Sequence, residues 1–357
     1  MSSQTMKAFR LVAWGQPAQF VTVPKPVPGP GDILVRMKAA GLCRSDLDMV
    51  DSQSGSGPYA NALDPGFILG HENAGYVAEL GVGVNDLEVG EAVVVHHIRH
   101  CSNCEYCTTG VENHCEAYKR GAISTTRGCG VDGGLAEYLL VPRNEVISIG
   151  DADPVLYAPL TDAAVTAYHA IQTAVERLKP GTSAAIIGIG GLGSYGVQFI
   201  KLLTSADVIA IDTAQKRLEV ARELGADHAV LFENDGDTAQ DEIMTLTNNR
   251  GIDVTVDLVG TSATLQLAAR ISRPQGRIVL VGLEGGSLSV GWGLLTTGCE
   301  FVISLASTRQ ELREVCELHK RGKLRTDIQK FAFNDVQKAY DELRAGRLTG
   351  RAVVVFP

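Results

Sequence analysis

Four cysteines within fifteen residues, Cys101-x-x-Cys104-x-x-Cys107-x7-Cys115, form the most specific local pattern in the chain. Four thiolates at this spacing can close a tetrahedral shell around one zinc ion, with Zn–S bonds of about 2.3 Å. The residues between them include Ser102, Asn103, Glu105 and Thr108. Such polar filler cannot hold a loop by burial, so bound metal would supply its folding energy. An iron–sulfur cluster uses the same four ligands and is a competing reading. A disulfide-bonded loop is a third, in a chain whose eight cysteines read first as thiols or metal ligands. A closed shell has no open position, so no catalysis is expected there.

The second pattern is Gly188-Ile-Gly190-Gly191-Leu192-Gly193. It follows an apolar run of strand length and opens a helical pattern, the setting of a dinucleotide-binding turn. The first glycine makes the turn, the second lets backbone N–H groups approach a pyrophosphate, and the third lets helix and strand pack closely. The helix N-terminus adds unpaired donors and partial positive charge. Asp212, nineteen residues past Gly193, ends the next strand-like run, where a carboxylate can accept hydrogen bonds from ribose hydroxyls. It would repel a 2′-phosphate, so NAD is expected over NADP; the nearby Lys216 and Arg217 act against that preference. A helix N-cap or a solvated strand end is the bland alternative for Asp212.

The elements that must position these groups fall into two textures. Up to about residue 160, strand-like runs such as DILVRMKAA, GYVAEL and EAVVVH are cut by Pro and Gly, and VPKPVPGPGD reads as an extended connector. Beyond it, short apolar runs at 183–187, 207–212, 228–232, 253–259, 277–282 and 300–305 alternate with helical patterns at 194–203, 215–224, 238–246 and 261–271. Strands alternating with helices mean βαβ units, and six such strands predict a doubly wound parallel sheet in an α/β domain. Two further helical stretches (309–321, 334–345) and the run RAVVV (351–355) close the chain. The expected division is a catalytic domain over 1–160 containing the cysteine lobe (96–118), a dinucleotide domain over 161–307, and a tail, 308–357, that returns to the first.

Other candidate metal donors, Cys43, His71 and Asp162, are scattered, and spacing alone does not connect them. An isolated Cys is usually a small buried hydrophobe. A resemblance connects them. In the Cys43-Arg44-Ser45-Asp46 run, Gly70-His71-Glu72, the four-cysteine lobe, the glycine loop with Asp212, and Gly350-Arg351, the whole chain resembles the zinc-dependent medium-chain alcohol dehydrogenases.

That resemblance implies a mainly β, chaperonin-10-like catalytic domain joined to a six-stranded Rossmann domain. It implies NAD as cofactor and two zinc ions per subunit, one catalytic and one structural. Cys43, His71 and Asp162 then stand at the catalytic-zinc positions, with Asp where many members have Cys; a carboxylate oxygen is a harder but sound ligand. Asp46 would orient the ligand histidine, Ser45 would bond the substrate oxygen and start proton release, and Glu72 would sit beside the metal. Thr166 and Gly282 would contact the cofactor. Arg44 and Arg351 match cations near the pyrophosphate or the Glu72 carboxylate. Asp48 replaces a histidine that ends the proton relay in some relatives. His96, His97 and His100 are candidate pocket walls, not ligands of the catalytic zinc, and Trp292 is a candidate pocket wall or subunit contact, with contact preferred.

The implied activity is reversible hydride transfer between an alcohol and nicotinamide, with small alcohols, aldehydes or ketones as partners. A polyol or sugar-alcohol dehydrogenase is the nearest alternative. Quinone or enoyl reduction on the related fold has no use for the three donors, and a catalytically silent zinc- or nucleotide-binding protein has none for Ser45. The short stretch from Cys115 to Gly133 resembles tetrameric members, so a homotetramer is expected over a dimer.

Composition agrees with this class. An apolar fraction of 45% across 357 residues provides for two domain cores, and a formal charge of −9 argues against a general nucleic-acid binder. The opening MSSQTMKAFR lacks a secretory apolar core, and no eighteen-residue apolar window predicts a membrane span. A cytoplasmic protein is therefore expected.

Overall fold

A computed structural model of the chain describes residues 4–53, 57–117, 126–233 and 236–357. Position 118, the expected end of the cysteine lobe, and residues 119–125 of the Cys115–Gly133 stretch lie outside them. The chain divides into two units, one of residues 1–165 and 307–357, the other of 166–306.

The first unit is built on the strand Asp32–Gly41, whose residues are buried on both faces almost throughout. That double burial is why DILVRMKAA reads as a nearly continuous apolar run. It pairs antiparallel with Glu72–Leu80, from Ile33↔Leu80 to Gly41↔Glu72. Arg351–Val355 lies antiparallel along its other side, with Val353 opposite Gly41. The strands Ala92–Val95, Val146–Gly150, Tyr138–Pro142 and Ile328–Ala332 complete a seven-stranded sheet, and Gln19–Pro24, Thr5–Leu11 and Phe67–Ile68 form a second of three. One apolar core includes Phe9, Leu11, Met37, Leu69, Leu135 and Tyr340. The helix Val336–Arg344 contributes Val336, Ala339 and Tyr340, the i, i+3, i+4 stripe of an amphipathic helix.

The first boundary falls after Val165 rather than after residue 160. Hydrogen bonds explain the shift: Thr161 Oγ1 accepts from Asn73 N at 3.1 Å and Ala163 N donates to Glu72 Oε1 at 3.0 Å, both within the first unit. Ser307, placed in the dinucleotide domain by the sequence, likewise belongs to the first unit, where the His96 ring contacts its carbonyl at 3.2 Å.

The second unit holds six parallel strands in the spatial order His228–Leu231, Asp207–Asp212, Ser183–Ile187, Ile252–Asp257, Ser272–Leu280 and Glu300–Ile303. This is the doubly wound order, which reverses direction beside Ser183–Ile187. The helices Gly193–Leu203, Gln215–Glu223, Asp237–Leu246 and Ser262–Ile271 lie between strands in sequence. Every residue of Ser183–Ile187 and Ile252–Asp257 is buried, as covered parallel strands require. Among the described residues, no helix is long and apolar enough to cross a membrane.

Candidate active site

Strand register brings the scattered donors together. Gly41 pairs with Glu72, so Cys43 and His71 stand just past the ends of neighbouring antiparallel strands. Continuing the Val353↔Gly41 pairing sets Arg351 opposite Cys43, and Leu42 N donates to Ala352 O at 2.9 Å to hold that alignment. Asp162 comes from the tight turn after the 3-10 helix Ala158–Thr161. One donor atom from each of Cys43, His71 and Asp162 lies within 4.8 Å of the others, and all three residues are less than 10% exposed.

The surroundings favour positive charge at the centre of this group. His71 Nε2 is 3.4 Å from Asp162 Oδ2, while its Nδ1 faces Asp46 Oδ1 at 3.1 Å. Burial opposes a charged imidazole there, but the Asp46 carboxylate together with Asp162 and Cys43 outweighs it and holds His71 well above the usual histidine range. Without a cation between them His71 Nε2 must carry a proton toward Asp162, and a bound metal ion takes the place of that proton. Thiolate, imidazole and carboxylate are the donor types zinc takes, and three protein ligands leave a fourth position open. The residues therefore fit a catalytic zinc ion.

The partners of the donors are equally defined. Asp46, on the first turn of the helix Arg44–Asp51, accepts from Cys43 N through Oδ2 at 2.9 Å and places its other oxygen 3.1 Å from His71 Nδ1. Ser45 Oγ lies 3.3 Å from His71 Nε2. Glu72 is fully buried and takes both arms of Arg351, from Nε at 3.0 Å and Nη2 at 2.6 Å. Burial pushes the Glu72 carboxyl up and the Arg351 charge pulls it back. Nη2 also reaches Asp162 Oδ2 at 3.5 Å. Of the two roles implied for Arg351, the geometry supports the carboxylate contact. Arg44 is exposed.

Two participants escape sequence reading. A Cβ on Gly41 would stand 1.8 Å from Glu72 Oε2, so only glycine admits the ion pair here; nothing in the run AAGLC marks it. Thr161, whose hydroxyl and carbonyl tie Asn73 and His97 to the turn, is flagged only by preceding Asp162. The three histidines near the cysteine lobe separate. His96 contacts Ser307, His100 contacts Asn144, and His97 alone lies beside the donors, its Nε2 3.9 Å from Asp162 Oδ1.

In the four-cysteine lobe, the Sγ atoms of Cys101 and Cys104 lie 3.8 and 3.4 Å from that of Cys107. A tetrahedron with bonds of about 2.3 Å has edges of about 3.8 Å. These separations suit one ion; they are too long for a disulfide, about 2.05 Å, and too short to span a multi-iron cluster. Backbone N–H groups at Asn103 and Cys104 pull the Cys101 thiol down to about 6, while burial pushes the Cys107 thiol up to about 12. Glu112 in the same lobe accepts from Arg309 N and so holds the first turn of the helix Arg309–Lys320.

In the second unit the glycine loop sits at the carboxyl end of Ser183–Ile187. Gly188 has φ +91°, and a Cβ on Gly193 would stand 2.0 Å from Gly188 O, so both have intramolecular reasons to be glycine. A Cβ on Gly190 would meet nothing within 4 Å, so packing within the described residues does not require glycine there. The N–H groups of Gly191 and Leu192 find no acceptor among the described residues. Asp212 is buried; Oδ2 accepts from Ile189 N at 2.7 Å and Oδ1 from Ala214 N at 2.9 Å, with Arg217 Nη1 at 3.6 Å. It is both a brace of the loop and a turn residue ahead of the next helix. Gly282 has a packing reason, since a Cβ there would lie 2.0 Å from the Val259 carbonyl carbon. Thr166 is buried, and Trp292 is 97% exposed.

Comparison with known proteins agrees with this architecture. Residues 29–151 match the alcohol dehydrogenase GroES-like domain, and residues 191–321 match the zinc-binding dehydrogenase domain. The alcohol dehydrogenase of the hyperthermophilic archaeon Aeropyrum pernix is 34% identical over 98% of this chain and 99% of its own, with a TM-score of 0.89. Acetophenone reductase from Geotrichum candidum, solved with NAD, is 27% identical over 99% and 98%, with a TM-score of 0.86. D-Arabinose dehydrogenase from Sulfolobus solfataricus is 28% identical over 99% of both chains, with a TM-score of 0.80. Fold and donor set define a two-domain oxidoreductase of the alcohol and carbonyl class. The chain belongs to the zinc-dependent medium-chain alcohol dehydrogenase family.

Proposed function

We propose that the protein interconverts an alcohol and its aldehyde or ketone with NAD(H), using the Cys43–His71–Asp162 centre. The convergence of those three donors within 4.8 Å carries the reading. A zinc ion held by these donors would supply Lewis acidity toward a hydroxyl oxygen, and bound NAD would supply the hydride acceptor. Cys43, His71 and Asp162 hold the ion, Asp46 fixes the His71 ring, and Arg351 with Glu72 fixes the Asp162 side. Ser45 Oγ is the hydroxyl placed to take the substrate proton. In the second unit, Gly190, Gly191 and Leu192 receive the pyrophosphate and Asp212 the adenosine ribose. A spectrophotometric screen for NADH formation with a panel of alcohols is the direct test; a zinc-loaded protein silent on the whole panel would overturn the reading. The similarity to a D-arabinose dehydrogenase favours including polyols and sugars in the panel.

The carboxylate at Asp212 makes a cofactor prediction. Asp212→Ala will lower kcat/KM with NAD more than with NADP, shifting the ratio by roughly 10–100-fold, the worth of hydrogen bonds to a charged group. An unchanged ratio would remove the ribose assignment.

The two-zinc stoichiometry is tested through the lobe. Cys104→Ser will leave one equivalent of zinc per chain by atomic emission, and will lower Tm by about 6–12 °C for a loss of about 3 kcal/mol. Two equivalents retained would count against a structural ion.

A homotetramer is part of the same reading. Leu283, Val290, Trp292, Leu294, Phe301 and Ile303 are all exposed apolar residues in the second unit, and among the described residues Glu300–Ile303 is an edge strand paired on one side only. Such a surface needs cover. Light scattering should give four chain masses, and Trp292→Lys with Ile303→Lys should give fewer. A cytoplasmic location is favoured by the free state of the described cysteines.

A further inference from the structure

One imidazole beside the donors has no part in the chemistry above. His97 follows the strand Ala92–Val95 and is 5% exposed, its ring 6.0 Å from that of His71. Its Nδ1 lies 2.8 Å from the carbonyl oxygen of Thr161, which can only accept. The proton therefore sits on Nδ1, and Nε2 keeps its lone pair. Nε2 is 3.9 Å from Asp162 Oδ1, beyond hydrogen-bond distance. It forms no hydrogen bond among the described residues, yet it is not one of the buried polar atoms left without a partner. This nitrogen is consequently open to a water-sized group. It also stands outside the group of donor atoms that could hold the ion.

A wall of the site that needed only bulk would be served by an apolar ring. We propose that His97 is a substrate-positioning residue. Its Nε2 accepts a hydrogen bond from a hydroxyl on the carbon next to the reacting carbinol, which makes vicinal diols and α-hydroxy carbonyl compounds the preferred substrate class. The inference rests on the alcohol–carbonyl reading, which puts the reacting oxygen beside Asp162. A hydroxyl one carbon away from that oxygen is a donor that Nε2, 3.9 Å from Asp162 Oδ1, can accept from. A simple alkyl chain would cover that nitrogen and leave it unpaired, and sites built to bond a hydroxyl discriminate strongly against analogues lacking it. The same hydroxyl survives in the α-hydroxy ketone product, so one contact serves both directions.

The test compares butane-2,3-diol with butan-2-ol in the zinc-loaded wild type, His97→Phe and His97→Gln. The wild type is expected to favour the diol by about 10-fold or more in kcat/KM. His97→Phe should erase that preference through a higher KM for the diol, with the loss on the diol exceeding by about 10-fold any loss on butan-2-ol caused by removing the Nδ1 contact to Thr161. His97→Gln keeps an acceptor and should restore part of it. Calorimetric binding of each alcohol to the enzyme–NADH complex, where no hydride can transfer, should show the same order. An unmoved ratio in His97→Phe, an equal loss on both alcohols, or loss of zinc from that variant would overturn the proposal while the alcohol reading stood. Absence of turnover with either alcohol and with the wider panel would overturn both.

Discussion

Asp162→Ala will lower kcat/KM by about a thousandfold, or about 4 kcal/mol of transition-state stabilisation, while NADH still binds. The size follows from what the carboxylate does. It supplies one of three donors to the centre, and it lies 3.4 Å from His71 Nε2 and 3.5 Å from Arg351 Nη2. Its removal opens the shell and leaves Arg351 short of a partner. Cys43→Ser should act in the same direction, because a hydroxyl is a poor substitute for a thiolate at a zinc site. Three measurements separate the explanations: turnover, zinc per chain, and NADH affinity by fluorescence. Near-normal turnover with a depleted catalytic ion would end the metal-centred account. Lost NADH binding would instead mean that the substitution disturbs the fold.

The second large effect concerns stability. Arg351→Leu will destabilise the protein by about 3–5 kcal/mol, because it strands the fully buried Glu72 carboxylate without its counter-ion. At about 2–4 °C per kcal/mol for a unit of this size, Tm should fall by roughly 6–20 °C. The double variant Glu72→Leu with Arg351→Leu removes both charges and should recover most of the loss. The non-additivity, at least about 1 kcal/mol, measures the pair itself. Additive losses would show that the two side chains act independently, against the bidentate contact.

The parts of the fold most legible in the sequence are those where burial is two-sided. SAAII and DVIAID announce covered parallel strands because, apart from the exposed Asp207, every residue of both is buried. Ser272–Leu280 is harder: it begins five residues before the apolar run at 277–282, and its Ser-Arg-Pro-Gln-Gly start reads as a turn. Only pairing of Ile252 with Ser272, across a register shift, makes it strand. The same contrast governs the site. The cysteine lobe is legible because its ligands are local. Cys43, His71 and Asp162 are joined by strand register and a distant turn, which spacing does not encode; family resemblance connected them first. Gly41 and the His97 tautomer were beyond reach, since each depends on an atom from another part of the chain.

The hydrogen bond from Ile189 N to Asp212 has a practical corollary. The carboxylate that would recognise the sugar is also a strut of the loop that would grip the phosphates, at 2.7 Å. Engineering the protein to accept a phosphorylated ribose by shrinking or neutralising residue 212 would therefore slacken the grip at the same stroke. A successful switch must find Ile189 a new acceptor as well as seat the extra phosphate, so single substitutions there should yield variants weak on both coenzymes.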